Sequence, residues 1–159
     1  MPAMSEQQKG FTLLELMIAL SIAAMVFVLS GPSLQRFYDA MEYRDAVRQI
    51  VSAARNAKRD AYISGEAIDL LIDADRNLFG LARDSRALKR EALSPLPDSL
   101  NLKVVYAEEI SPDGQLGAIR FYPTGGASGG EVFIERESGA GTHLTIDWLL
   151  GEVTQQVFP

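Results

Sequence analysis

Residues 10–32, which read GFTLLELMIALSIAAMVFVLSGP, decide the fold of this chain. The 21 residues from Phe11 to Gly31 include a single charged side chain, Glu15. As a helix that rises about 1.5 Å per residue, this run spans the roughly 30 Å hydrocarbon core of a bilayer. An acidic side chain at the centre of a membrane costs about 2.5–3.5 kcal/mol, and less near an end of the helix. The stretch therefore predicts a transmembrane helix in which the carboxylate has a function.

The residues around Glu15 resemble the class III signal of type IV pilins and of the pseudopilins of type II secretion. Gly10, Phe11 and Glu15 stand where that signal requires them, behind a short polar leader with Lys9. The resemblance implies that a prepilin peptidase cuts between Gly10 and Phe11, that Phe11 is then N-methylated, and that Glu15 acts in filament assembly. It also implies that Pro32 kinks the helix. The alternative is a plain signal anchor in which Glu15 is incidental.

The helical pattern continues past Pro32 to about Ile63, and Gly65 is the expected stop. A helix from Phe11 to Ile63 would have about 53 residues and a length of roughly 80 Å. We expect its second half to pack a stripe of mostly small side chains against a sheet, with a coiled coil as the alternative. The stripe, spaced by three or four residues, consists of Phe37, Ala40, Tyr43, Val47, Ile50, Ala54, Ala57 and Ala61.

From Glu66 onward the pattern predicts short strands separated by turns, in one antiparallel sheet or a two-sheet sandwich. The segment Ser94–Asp98 is expected to be a loop, because proline disrupts a strand ladder. The fold class is α+β, and the resemblance implies the type IV pilin-like arrangement. The expected segments are a leader at 1–10, a transmembrane half-helix at 11–31, a second half-helix at 32–65 and a β-domain at 66–159. Strands are expected at 67–73, 78–82, 100–106, 117–122, 132–134, 143–148 and 153–158.

Three features of the β-domain invite a functional interpretation. The glycine-rich loop Gly125–Gly130 lacks the Gly-Lys-Ser/Thr ending of a phosphate-binding loop, so a tight or mobile hairpin is expected. His143 is the only histidine; it falls on the polar side of its strand with no acid–base partner nearby in sequence, so a solvated residue is expected. Asp73 and Asp75 lack the internal Gly and distal Glu of a calcium loop and are assigned to a hairpin turn. The residues expected in the core or on a sheet face are Phe121, Tyr122, Phe133 and Trp148.

Composition narrows the function classes. The chain of 159 residues contains no cysteine, which excludes disulfides, thiol nucleophiles and cysteine-based metal sites. The formal net charge of −6 argues against a surface that follows nucleic-acid phosphates. No catalytic set and no metal-binding pattern is evident. We therefore expect a protein that is not an enzyme and has no cofactor, no metal and no nucleic-acid partner.

Residues 121–134 and 146–153 resemble two regions of the H-type minor pseudopilins of type II secretion (general secretion pathway protein H). In the second region, Leu150 and Glu152 stand where that family usually has Thr and Arg. The resemblance implies a single-pass protein of the bacterial inner membrane with a cytoplasmic N-terminus and a periplasmic C-terminal domain. Such a subunit would help to export folded proteins across the outer membrane.

The implied partners are the other major and minor pseudopilins, the prepilin peptidase, the inner-membrane assembly platform, and secreted substrates or the secretin. Two alternatives remain open. One is a minor pilin of a type IV pilus, which acts in assembly or DNA uptake. The other is a membrane-anchored periplasmic hydrolase.

Overall fold

A computed structural model describes residues 11–83, 92–107 and 116–159; for residues 28–36 it describes the helical backbone and not the side chains. The chain divides into two compact units, Met1–Asp39 and Ala40–Pro159. The predicted leader, with Gly10, lies outside the described residues, and so do the turn-rich connection 108–114 and most of the charged segment 83–91. The three segment boundaries at 10, 31 and 65 remain predictions.

One long helix, α1 (Leu13–Ser64), begins in the first unit and ends in the second. Thr12 caps its start, since the Thr12 side-chain oxygen accepts a hydrogen bond from the Glu15 backbone N–H at 3.2 Å. Gly65 ends it in the left-handed region, with φ of 72°, and donates its N–H to the Ala61 carbonyl at 3.0 Å. The predicted helix and its glycine stop are confirmed. Pro32 falls within the bounds of α1, but its side chain lies outside the described residues, so the kink stays a prediction.

In the second unit, α1 buries the stripe of small residues against the sheets. Ala54, Ala57 and Ala61 are at most 1% exposed and belong to the main hydrophobic core. Small side chains here allow the helix and the strands to approach closely. The predicted stripe was too narrow, because Ala46 at 0% and Val51 at 7% are buried beside it. It was also too long, because Phe37, which belongs to the first unit, is 61% exposed.

The first of two four-stranded antiparallel sheets has the order β3-β2-β1-β5. Its central strand β1 (Ile68–Asp73) is buried at every position, because its two faces pack into different clusters. Leu70 points into the main core, and Leu71 points into a smaller cluster with Leu93 and Leu116. The other strands are β2 (Leu78–Ala82), β3 (Ser94–Pro95) and β5 (Gly117–Phe121).

The loop prediction for Ser94–Asp98 was wrong at its start. Ser94 and Pro95 pair with Phe79 and Leu78 as a two-residue strand at the sheet edge. Proline is tolerated there because an edge strand leaves one row of backbone groups unpaired.

The second sheet has the order β4-β6-β7-β8 and alternates as predicted. Its inward residues, such as Leu102, Ile134 and Leu144, are at most 3% exposed and complete the main core. Its strands are β4 (Leu100–Val105), β6 (Gly130–Arg136), β7 (Gly141–Ile146) and β8 (Val153–Phe158). The two-sheet form of the prediction is therefore the one observed.

Candidate functional site

The residues predicted to act in processing and assembly lie at the start of α1. Phe11 precedes the helix and is 84% exposed, and Glu15 is exposed in the first turn. Thr12 and Glu15 have the spacing of a capping box, in which a Thr caps the helix and a Glu three residues later faces back towards it. The sequence argument missed this cap, although the Thr-x-x-Glu pattern predicts it. Among the described residues, no cation pairs with the Glu15 carboxylate.

The described part of the first unit exposes large apolar side chains on every side of the helix. They range from 52% exposure at Ile18 to 84% at Phe27. A helix that is apolar all round needs other helices or lipid around it, because water does not stabilise such a surface. Residues of this kind in the described part are Leu13, Leu14, Leu16, Met17, Ile18, Leu20, Ile22, Met25, Val26 and Phe27.

Within the part of the chain that the structure describes, no helix is long and apolar enough to cross a membrane.

In the β-domain the glycine-rich loop crosses from one sheet to the other, so it is not the simple hairpin that the sequence predicted. A tight turn forms at its start, where the Tyr122 N–H donates to the Gly126 carbonyl at 2.9 Å and Phe121 pairs with Ala127. The loop then leaves β5 in the first sheet and enters β6 in the second. A Cβ on Gly126 would lie 2.9 Å from the Trp148 carbonyl oxygen, so a glycine is needed for this approach.

The loop supports the exposed turn between β7 and β8. The Asp147 carboxylate accepts hydrogen bonds from the N–H groups of Leu149 and Leu150 at 2.9 and 2.7 Å. The Ala127 N–H donates to the Trp148 carbonyl at 2.9 Å. These hydrogen bonds tie the turn to the loop, and the Trp148 side chain in this turn is 67% exposed. The assignment of Trp148 to the core or a sheet face was wrong, because β7 ends at Ile146 and Trp148 lies in the turn that follows.

The other three aromatic side chains that were predicted for the core or a sheet face differ in their burial. Phe121 is fully buried, as expected. Phe133 is half-buried on the outer face of the second sheet, where its ring stacks on His143 with centroids 4.2 Å apart. Tyr122 is 38% exposed, at the boundary of the sheet face.

His143 has a partner that the sequence argument missed. Its Nε2 lies 3.1 Å from a carboxylate oxygen of Glu131 on the neighbouring strand and 3.4 Å from the Thr145 hydroxyl. A catalytic triad needs the carboxylate and the hydroxyl on opposite ring nitrogens, so that one orients the ring and the other loses a proton. Here both contacts use the same nitrogen. The cluster therefore stabilises a sheet face and is not arranged to activate Thr145.

An ion pair with a fully buried carboxylate joins the central strand β1 to the edge strand β5 of the first sheet. Arg120 on β5 donates two hydrogen bonds, at 2.7 and 2.8 Å, to the carboxylate of Asp69 on β1. Asp69 is fully buried, and such bidentate pairing offsets the cost of removing the charge from water. Across residues 11–83, 92–107 and 116–159, no group of three or more His, Asp or Glu side chains is placed to hold a metal ion.

Comparisons with known proteins agree with the helix start and the two-sheet fold. The prokaryotic N-terminal methylation motif matches residues 7–31. Type II secretion system protein H of Xanthomonas campestris pv. campestris is 24% identical over 152 residues, which cover 96% of this chain and 85% of the relative.

Two solved structures share the fold. The minor pseudopilin EpsH from the type 2 secretion system of Vibrio cholerae aligns with a TM-score of 0.56 at 12% identity, over 73% of this chain and 97% of that one. The type IV minor pilin FimU of Pseudomonas aeruginosa aligns with a TM-score of 0.51 at 14% identity, over 77% and 92%. The chain therefore has the fold of these two structures, which belong to the class of pilin and pseudopilin subunits, and it carries the methylation motif at residues 7–31. Within that class, the chain resembles the H-type minor pseudopilins of type II secretion systems.

Proposed function

We propose that this chain is a minor pseudopilin subunit of a type II secretion pseudopilus and that it assembles through its N-terminal helix. The observation that supports this most directly is the position of the methylation motif. The motif covers the start of α1, where the apolar side chains are exposed all round and a carboxylate has no cationic partner among the described residues. A filament of packed helices would cover this surface, and the subunit would help to export folded proteins across the outer membrane.

The proposed processing supplies the charge that Glu15 lacks. Cleavage between Gly10 and Phe11 would create a new amine, methylated or free, at Phe11. In a filament, the amine of one subunit lies against the Glu15 carboxylate of a neighbour displaced along the axis. Pairing in a low-dielectric environment then offsets much of the cost of burying each charge alone. The prepilin peptidase, the other pseudopilins and the assembly platform are the partners this role requires.

The proposed topology is a single pass through the bacterial inner membrane, with the N-terminus in the cytoplasm and the β-domain in the periplasm. We assign no catalytic activity to the chain, because the relatives are pilus and pseudopilus subunits and because the His143 cluster has the wrong geometry for a triad. Mass spectrometry of the membrane-extracted protein tests the processing. The expected product begins at methylated Phe11, and an intact leader or a different cut would contradict the proposal.

The capping box allows a sharp test of Glu15, because Gln also fits the third position of the box. Glu15→Gln removes the charge and keeps the local hydrogen-bonding pattern, whereas Thr12→Ala removes the cap and keeps the charge. We expect Glu15→Gln to insert in the membrane normally but to lose co-purification with partner pseudopilins, and Thr12→Ala to keep it. The opposite result, assembly intact in Glu15→Gln and lost in Thr12→Ala, would show that Glu15 serves the helix start alone.

A minor pilin of a type IV pilus is the second candidate, supported by the likeness to FimU. The sequence relative and the higher TM-score both point to type II secretion. The two candidate functions predict different phenotypes for a deletion of the gene. Deletion of the gene is expected to abolish export of folded proteins and leave pilus-dependent motility intact, and the reverse would favour the pilin.

A further inference from the structure

A basic groove lies between α1 and the second sheet, entirely within the second unit. Its volume is about 660 Å³. Tyr43 and Val51 on the helix side are buried, and the Tyr43 hydroxyl forms a 2.6 Å hydrogen bond with Thr142 on β7, which holds the helix against the sheet at this point. The walls carry four arginines and two residues of β8, namely Arg44, Arg48, Arg55, Arg136, Gln155 and Val157.

The arginines are poorly neutralised, although the whole chain has a net charge of −6. Arg48 pairs with Asp45 at 3.3 Å, but both side chains are more than half exposed, so the pair is weak. Arg136 lies over the Tyr43 ring, 4.0 Å from its centre, which fixes the guanidinium and leaves its charge. No acidic side chain in the described residues pairs with Arg44, Arg55 or Arg136. Positive charge is thus concentrated in this groove, although the chain as a whole is negatively charged.

Strand β8, which borders the groove, is an edge strand whose outer side pairs with no other strand in the described part of the chain. It is the outermost strand of its sheet, and four of its six residues are exposed. Its sequence, VTQQVF, has no charge and no proline, the two features with which proteins commonly block pairing at an edge. The backbone N–H and C=O groups on the outer side of β8 are therefore available to a further strand.

We propose that this groove binds an extended acidic segment of a partner protein, which adds to β8 as a fifth strand and places its carboxylates on the groove arginines. The spacing of the groove arginines agrees with the length of a short extended peptide. Arg44 and Arg55 are separated by about 16 Å along the helix axis, at 1.5 Å per residue. An extended peptide covers that distance in about five residues, and alternate side chains point to the same face. A segment with acids at every second position therefore matches both the arginines and the length of β8.

A polypeptide fits the groove better than a nucleic acid does. One of the two proposed components of binding is backbone hydrogen bonding with β8. A phosphate backbone cannot form this strand pairing. The rest of the surface is acidic on balance and would repel a long polyanion. The proposal concerns a surface of the β-domain and does not depend on Glu15 or on the assembly of the N-terminal helix.

Fluorescence anisotropy with the full-length chain in detergent micelles tests this proposal. The probe is a labelled heptapeptide of alternating Thr and Glu. We expect saturable binding that weakens with added salt, and at least tenfold weaker binding for the double variant Arg44→Glu, Arg55→Glu. Arg59→Glu is the control outside the groove: it makes one Arg-to-Glu change on the same helix, half the charge change of the double variant, and it should bind within twofold of the wild type.

Two further probes separate the components of binding. The same peptide with alternate backbone amides N-methylated keeps every carboxylate and loses strand pairing, so it should bind at least tenfold more weakly. A single-stranded oligonucleotide of equal charge should also bind more weakly than the peptide. Equal binding of the N-methylated peptide, tighter binding of the oligonucleotide, or equal loss in Arg59→Glu would each overturn the proposal. Circular dichroism of the variants, whose changed side chains are exposed, confirms that they are folded.

Discussion

The two parts of α1 differ in how their apolar side chains are covered. In the second unit the helix buries one stripe, in which Ala57 and Ala61 are completely inaccessible, and the sheets of the same chain cover it. In the first unit the described residues are apolar on all sides, and Leu13 and Phe27 are at least 80% exposed. The apolar side chains described in the first unit are therefore left exposed, whereas the second unit covers its helix from within. The difference separates the part that we propose assembles from the part that folds.

The largest expected effect is in the second unit. Asp69→Ala removes a fully buried carboxylate that accepts two hydrogen bonds from Arg120. Breaking a buried pair costs about 3–5 kcal/mol, and the loss should lie at the lower end because the Arg120 side chain is 34% exposed. We expect the free energy of unfolding in urea, followed by circular dichroism on the full chain in detergent, to fall by about 3 kcal/mol. The control is Asp45→Ala, which breaks an exposed pair with Arg48 and should cost less than about 1 kcal/mol. Similar losses in both variants would show that burial does not set the importance of the pair.

A matched pair of substitutions compares the two parts of the helix directly. Ala57→Leu forces three extra carbons into a site with no exposure, and overpacking of this kind costs about 1–3 kcal/mol. Ala24→Leu makes the same change at an exposed position of the first unit and should alter the free energy of unfolding by less than about 0.5 kcal/mol. Equal effects of the two substitutions would contradict the conclusion that the helix is covered by the sheets at Ala57 and uncovered at Ala24.

A substitution at the C-terminal end of α1 should have a smaller effect on the free energy of unfolding. Gly65 has φ of 72°, and no atom lies within 4 Å of the position that a Cβ would take. Gly65→Ala should therefore cost about 1–2 kcal/mol of backbone strain, without steric conflict. Gly65→Asn should cost less, because Asn adopts the left-handed conformation more readily. Urea unfolding of both variants measures this order, and an equal cost for Ala and Asn would argue against backbone strain as the cause.

The smallest effect is expected at the start of the helix. Thr12→Ala removes the side-chain acceptor of the Glu15 N–H and should destabilise the first turn by about 1 kcal/mol. Because none of the described side chains of the first unit belongs to the main core, the unfolding of the second unit should not change. Hydrogen exchange at the amides of Glu15 and Leu16 measures the local effect, and Thr12→Ser should restore protection. A shift in the urea midpoint would contradict the independence of the two units.

Local patterns in the sequence predicted the helix and most of the strands. The three-to-four spacing of Ile50, Ala54, Ala57 and Ala61, followed by Gly65, predicted the buried stripe and the helix end correctly. Alternation predicted β4 and β7, whose inward residues are buried as expected. These predictions succeeded because each depends on neighbours within about one turn or one strand.

The errors came from contacts between distant residues. Pro95 forms a short strand because its position is at a sheet edge, which a local pattern does not reveal. The partner of His143 is Glu131 on a neighbouring strand, and a strand register was needed to place the two side chains together. Trp148 looked like a core residue until the end of β7 at Ile146 put it in a turn.

By itself, the sequence determined the N-terminal methylation motif, the long helix, its glycine stop and the change from helix to short strands. These features follow from composition and short-range periodicity, which each segment carries alone. Only the tertiary structure decided which carboxylate meets Arg120, that the glycine-rich loop crosses between sheets, and that four arginines lie beside an edge strand. Such juxtapositions depend on sheet order and register, because residues far apart along the chain become neighbours only when the strands pair.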